Sequence, residues 1–240
     1  MMVRGLTCQR GIGAIQVVLR VAGLVFVIVA VIGSAAAILS YWARVKETDN
    51  RARCSENLRQ IGMACQLRAQ NFGDFYPTVA VGGAPSRPMA SLSLVFREEY
   101  LKNRDVFCCP STFDRCDDLA PGDTFAPHGR PQTGPKAKRR ECSYGYDDLK
   151  GPTTDPDVAI AADALPAPGE KTTSVSIGIG GAGQKTGMNS ANHGGKGQNV
   201  LYYDGHTKWS CTCFCGVDDD NIYEAADPAN VAPTDSYIHQ

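Results

Sequence analysis

Neither sign of charge prevails in this chain: 24 Lys and Arg oppose 25 Asp and Glu, a formal net charge of −1 over 240 residues. A nucleic-acid partner calls for a basic domain or stripe, and overall the sequence has none. Its basic run Lys136-Ala-Lys-Arg-Arg140 is short and lacks interleaved aromatics, so it reads as a solvated part of the Pro- and Gly-rich loop 119–141. Catalytic motifs are missing too. His193 precedes Asp204 by eleven residues, but no nucleophile elbow supplies a serine for them. Gly194, Gly195 and Gly197 lack the GK[ST] ending of a phosphate loop and lead into a strand rather than a helix. No period of internal repetition runs through the chain. There is no C-x-x-C pair among the ten cysteines, and no EF-hand spacing around Asp218-Asp219-Asp220.

Against these absences stands one long apolar run. Residues 21–42 contain no charge, and as a helix they span about 33 Å, enough for a hydrocarbon core of about 30 Å. A signal peptide has a shorter apolar stretch, about 7–15 residues, so retention as a transmembrane helix is expected. Tyr41 and Trp42 fall at one end, where amphipathic rings favour the interface. Arg4, Arg10 and Arg20 precede the run without an acidic residue among them, and most cysteines follow it. Both facts place the N-terminus inside and the rest outside the cytoplasm.

Helical character continues beyond the run. Cys54, Leu58, Ile61 and Cys65 recur at i, i+4, i+7 and i+11, an apolar stripe at helix period. Gly73 suits the position just past the helix end. One helix over about residues 21–72 is therefore expected, with a separate helix capped by Asn50 as the alternative. Further on, Ser91 is a candidate N-cap for a short helix to Leu101 with Leu92, Val95, Phe96 and Tyr100 as its apolar face. Strand signals lie at residues 158–162 and, by alternation, at 174–179. Asp204-Gly205, between strand-like runs at 199–203 and 206–210, predicts a two-residue type I′ hairpin.

Three chemistries are open to the cysteines Cys108, Cys109, Cys116, Cys142, Cys211, Cys213 and Cys215: disulfides, buried free thiols, or a zinc site that draws on His206. Cys211, Cys213 and Cys215 would share one face of a strand, with neighbours about 6.5–7 Å apart, too far to bridge each other. Their partners would then come from the four earlier cysteines. Cys54 and Cys65 cannot bridge within one helix, being separated by about 16 Å along it. Asp218, Asp219 and Asp220 are either a loop of hard oxygen ligands that would take calcium or a solvated acidic turn.

At Arg51-Ala-Arg-Cys-Ser-Glu-Asn-Leu-Arg-Gln-Ile-Gly62 the chain resembles the stalk of type IV pilin-like and type II secretion pseudopilin-like proteins, above all the large pilin-like family of planctomycete bacteria. Three later segments resemble that family's motifs in the same order: Val106-Phe-Cys-Cys-Pro-Ser111, Cys142-Ser-Tyr-Gly-Tyr146, and Asn192-His-Gly-Gly followed by Asn199-Val-Leu-Tyr-Tyr-Asp-Gly-His206. The resemblance covers about residues 11–210. It implies prepilin-type processing, for which Gly11-Ile12 is the nearest match, and assembly with other pilin-like subunits or secretion machinery. It also implies a glutamate that neutralises the neighbouring subunit's N-terminus; Gln16 stands in that place, and Arg20 interrupts the apolar helix soon after.

These readings converge on an α+β, pilin-like fold: a long N-terminal transmembrane and stalk helix packed on a small antiparallel sheet with long loops. Residues 1–20 form a basic cytoplasmic leader, 21–42 the span, 43–73 the stalk, and 74–240 a cysteine-rich head outside the cytoplasm. The expected function is a structural, non-enzymatic subunit anchored in the inner membrane, with no cofactor required. The alternative is a membrane-tethered metal-binding or thiol-redox module built on the cysteine cluster.

Overall fold

A computed structural model describes residues 6–79, 87–117, 120, 122–129, 140–150, 155–167, 170, 172–179, 183–224 and 236–240, apart from the side chains of 6–15, 178–179 and 183–185. The leader tip, most of the Gly/Pro-rich loop 78–88 and most of the basic run 136–140 lie outside them. The chain divides into two compact units, Met1–Thr48 and Asp49–Gln240.

Helix α1 runs unbroken over Leu6–Asn71. No proline interrupts it, and Gly73 adopts φ +68 just beyond its end, as expected of a glycine at that position. Asn50 is therefore mid-helix and caps nothing; its side chain donates to Ser111 Oγ at 3.1 Å instead. Over residues 16–48 the apolar side chains of α1 are exposed on every side, Phe26 and Leu39 among the most exposed. α1 is the described helix long and apolar enough to cross a membrane. An all-round apolar helix needs either a core or lipid, and the first unit supplies no core.

Within the second unit the same helix becomes a core element. Cys54, Leu58, Ile61 and Cys65 are each 0% exposed, so the stripe faces inward along its whole length. Helix α2, Pro88–Arg97, begins with proline at its first position. Ser91 lies inside α2 and caps nothing: its hydroxyl donates to Asp148 Oδ2 at 2.8 Å and accepts from the Val79 amide at 3.0 Å.

Strands β1 (Tyr144–Tyr146), β2 (Ala159–Asp163), β5 (Gln198–Tyr202) and β6 (Thr207–Ser210) form an antiparallel sheet in the order β1-β2-β5-β6. Strands β3 (Ser174–Ile179) and β4 (Gly183–Met188) make a separate two-stranded ribbon. Strands β1, β2 and β5 of this sheet are buried on both faces, while β6 is partly exposed. One face joins the α1 stripe, α2 and Phe107; the other packs Val200 and Tyr202 against Phe214, Ile222, Tyr223 and Ile238. Double burial explains why β2 reads as a continuous apolar run rather than as an alternation.

The β5–β6 hairpin differs from the expected turn. Leu201 pairs with Thr207, Tyr202 N–H donates to His206 O at 3.0 Å, and Gly205 N–H donates to Tyr202 O at 2.9 Å. Gly205 has φ +91, while Asp204 is not among the positive-φ residues. This is a three-residue loop with a left-handed glycine at its end, not a type I′ turn, which would need φ > 0 at both central positions.

Candidate metal centre

Four buried side chains from four separate segments meet beneath the sheet. Cys54 comes from α1, and Cys109 follows the 3-10 turn Arg104–Phe107. Asp163 is the last residue of β2, and His193 lies in the tight turn Asn192–Gly195. One ligand atom of each falls within 4.8 Å of the other three, and all four residues are buried. Cys54 Sγ is 3.0 Å from Asp163 Oδ1, Cys109 Sγ is 3.4 Å from His193 Nε2, and Asp163 Oδ2 is 3.5 Å from that same nitrogen.

The turn that aims His193 is conformationally expensive. His193 adopts φ 58 and ψ 24, a left-handed conformation that non-glycine residues rarely hold. Gly195 continues it at φ +72, where a Cβ would come within 2.9 Å of the Thr173 amide nitrogen. Gly195 and Gly197 thus serve close backbone packing, whereas Gly194, at φ +68, has open space where a Cβ would stand. Trp209 stands edge-on to the imidazole at 5.5 Å between centroids, and the Arg51 guanidinium covers the indole at 4.0 Å.

A second layer of donors surrounds the carboxylate. Asp163 Oδ2 accepts from the Asn199 amide at 2.6 Å and from its side chain at 3.3 Å; Oδ1 accepts from Asn192 Nδ2 at 3.1 Å. Tyr144 Oη is 3.2 Å from Cys54 Sγ and also accepts from Asn57 Nδ2 at 3.3 Å. Burial, the neighbouring Cys109 thiol and the Asp163 charge push the Cys54 thiol well up. Burial also works against ionising Cys109, but hydrogen bonds from Cys54 and His193 outweigh it and bring that thiol below its ordinary value.

The other sequence candidates lie elsewhere. Gly11 and Ile12 belong to α1 with side chains outside the described residues, and Gln16 is exposed on the same helix. Asp204 does not meet His193; it sits in the exposed hairpin loop and bonds His206 Nδ1 at 2.5 Å. His206 stacks on Tyr202 at 4.4 Å and joins no thiol cluster. Cys108 and Cys116 both approach the Glu141 carbonyl, at 3.6 and 3.0 Å, beside buried Cys142.

The nine described cysteines are all free. Cys213 and Cys215 belong to the second core cluster, while Cys108, Cys109, Cys116 and Cys142 belong to the first. The pairing expected between these groups is therefore not formed. Nor do Cys211, Cys213 and Cys215 share a strand face. β6 ends at Ser210, whose hydroxyl donates to Thr212 O at 2.6 Å, and Thr212 Oγ1 in turn accepts from Phe214 N at 3.2 Å. These side-chain turns fold the segment so that Cys213 is buried and Cys211 exposed.

Asp218, Asp219 and Asp220 do not converge. Asp218 and Asp219 are exposed with φ 55 each, and Asp220 Oδ2 accepts from the Ser236 amide at 3.1 Å. Among the described residues, the quartet is the group of His, Cys, Asp and Glu arranged to hold an ion.

His128 forms a separate cluster, with Nδ1 2.5 Å from Asp114 Oδ2 and Nε2 2.9 Å from Glu170 Oε2. Both ring nitrogens are engaged by carboxylates, which leaves no lone pair for general-base work.

Two members of the quartet were missed in the sequence. Cys54 is a stripe residue there, and Asp163 is merely the residue after an apolar run. The available signal was a carboxylate directly continuing a fully buried strand. No family model, curated protein or solved structure matches the chain.

Proposed function

We propose that this protein is a non-catalytic, membrane-anchored structural subunit of the pilin-like kind, inserted with its N-terminus in the cytoplasm and its head outside. The observation that carries the reading is the dual character of α1. One uninterrupted helix is apolar and exposed around its circumference in the first unit, then supplies four fully buried residues to the core of the second. Further support comes from the resemblance motifs: the Cys54, Cys109 and His193 segments, distant in sequence, meet at one point of the fold.

Gln16 and Arg20 shape how such a subunit assembles. An amide cannot neutralise an incoming ammonium, and Arg20, one turn further along, repels it. A buried, uncompensated charge costs several kcal/mol, so the protein joins filaments or secretion machinery as a minor subunit or remains a solitary anchor. Co-expression with a prepilin peptidase, followed by N-terminal sequencing and inspection of sheared surface material, tests this. Abundant homopolymeric fibres with an N-terminus at Ile12 would refute it.

A further inference from the structure

We propose that Cys54, Cys109, Asp163 and His193 bind one zinc ion, a structural site that fastens α1 to the head's sheet. The spacing of the four groups is the first argument. Ligands bonded to tetrahedral zinc at about 2.0–2.3 Å lie roughly 3.3–3.8 Å from one another. The distances of 3.4 Å from Cys109 to His193, 3.5 Å from His193 to Asp163 and 3.0 Å from Cys54 to Asp163 approach that pattern.

The crowding at one ring nitrogen points the same way. Cys109 Sγ, Asp163 Oδ2 and Asn199 Nδ2 all crowd His193 Nε2, at 3.4, 3.5 and 3.4 Å. A ring nitrogen has one lone pair or one N–H and so can bond only one of them at a time. A thiol and a carboxylate thus converge on one imidazole nitrogen, the arrangement in which a shared cation would serve all three.

Charge favours the same occupant. Asp163 is fully buried, and among the described residues its one ion-pair neighbour is His193, at 3.5 Å. A divalent cation is the partner a buried carboxylate and two thiols would take, and mixed sulfur, nitrogen and oxygen donors select zinc over calcium or magnesium. On binding, the two thiol protons leave to solvent, and the carboxylate and neutral imidazole add no further proton change. The bound cluster then carries one net negative charge. Tyr144 Oη beside Cys54 Sγ and the Asn192 and Asn199 donors on Asp163 are placed to stabilise that charge, as outer-shell partners of metal ligands do. All four coordination positions come from protein, so the site is closed and structural, with no position left for substrate.

The test is elemental analysis of the full-length chain purified in detergent from zinc-supplemented cells. One zinc per chain is expected. It should fall to background in Cys109→Ser and Asp163→Asn and be kept in Cys213→Ser, which lies outside the quartet. Replacement by cobalt(II) should give the visible absorption of a tetrahedral site with sulfur-to-cobalt charge transfer. The wild-type measurements do not depend on any variant folding. Absence of stoichiometric metal, iron in place of zinc, zinc retained in both Cys54→Ser and Cys109→Ser, or a Cys54–Cys109 disulfide in a non-reduced digest would each overturn the proposal. Membrane extraction is indifferent to these outcomes, so this site and the anchoring role fail separately.

Discussion

Gly62 on α1 lies directly against Leu201 of β5: a Cβ built on Gly62 would stand 2.8 Å from Leu201 Cδ1. Helix and sheet meet here at the closest approach that a hydrogen in place of a side chain permits, midway along the buried stripe. Gly62→Ala should be near neutral, since about 1 kcal/mol of helix propensity offsets a clash with the flexible end of Leu201. Gly62→Val should destabilise by about 1–3 kcal/mol, because branched bulk cannot fit without shifting the backbone. Denaturant midpoints of the detergent-solubilised protein check both, and equal midpoints for Gly62→Val and wild type would deny the close packing.

A second contact of the same helix is the hairpin loop. Gly205 has φ +91, and a Cβ there would come 2.8 Å from Gln66 Nε2. Gly205→Val should cost about 1–3 kcal/mol through backbone strain alone. Hydrogen exchange over Gln198–Ser210 should speed up in the variant; unchanged protection would contradict the three-residue loop.

The stripe on α1 and strands β2 and β3 were legible as periodic or largely apolar runs, and β5 and β6 as the runs that flank Asp204-Gly205. The hairpin's place was legible from Asp-Gly, but its type was not. Turn length depends on register, which tertiary contacts help set: the Tyr76 hydroxyl donates to Tyr203 O in the loop at 2.7 Å. Strand β4 was invisible, since Gly183–Met188 has neither alternation nor β-branched enrichment beyond Thr186 and owes its state to pairing with β3. The quartet was half legible. Cys109 and His193 stand among the sequence candidates; Cys54 lies in a resemblance motif but reads as a stripe residue, and Asp163, 109 positions further on, carries no motif and meets it at 3.0 Å only in the fold.

The Asp114–His128–Glu170 cluster makes stability depend on pH. Burial opposes ionisation of His128 and Asp114, but the hydrogen bond and attraction between them prevail, raising His128 and lowering Asp114. A raised histidine stabilises fully below its unfolded pKa of about 6.5, and the benefit is lost as pH rises through the folded value. The lowered Asp114 contributes above an unfolded pKa of about 3.9 and loses its contribution as pH falls through the folded one. The stability difference between wild type and His128→Gln should therefore peak between about pH 4 and 6.5 and shrink on either side. Asp147, pushed up to about 6 by burial, titrates in the same range but cancels in that difference. A difference independent of pH would contradict the cluster.

Thiol accessibility follows from the fold. Cys211 is exposed, whereas Cys54, Cys65, Cys142 and Cys213 are buried, and burial raises Cys65 to about 12. Brief alkylation of the native protein should label Cys211 well ahead of those four, as read by peptide mass spectrometry. Labelling of Cys65 or Cys142 at the rate of Cys211 would mean that the core is not packed as described.

The central claim is that one helix both crosses the membrane and forms the core of the head, and alkaline carbonate extraction tests its first half most directly. Residues 21–42 carry no charge, and transfer of that run into lipid outweighs any peripheral attachment. The full-length chain should remain in the membrane pellet after carbonate and high-salt washes and be released only by detergent. Recovery of full-length protein in the carbonate supernatant would contradict the account.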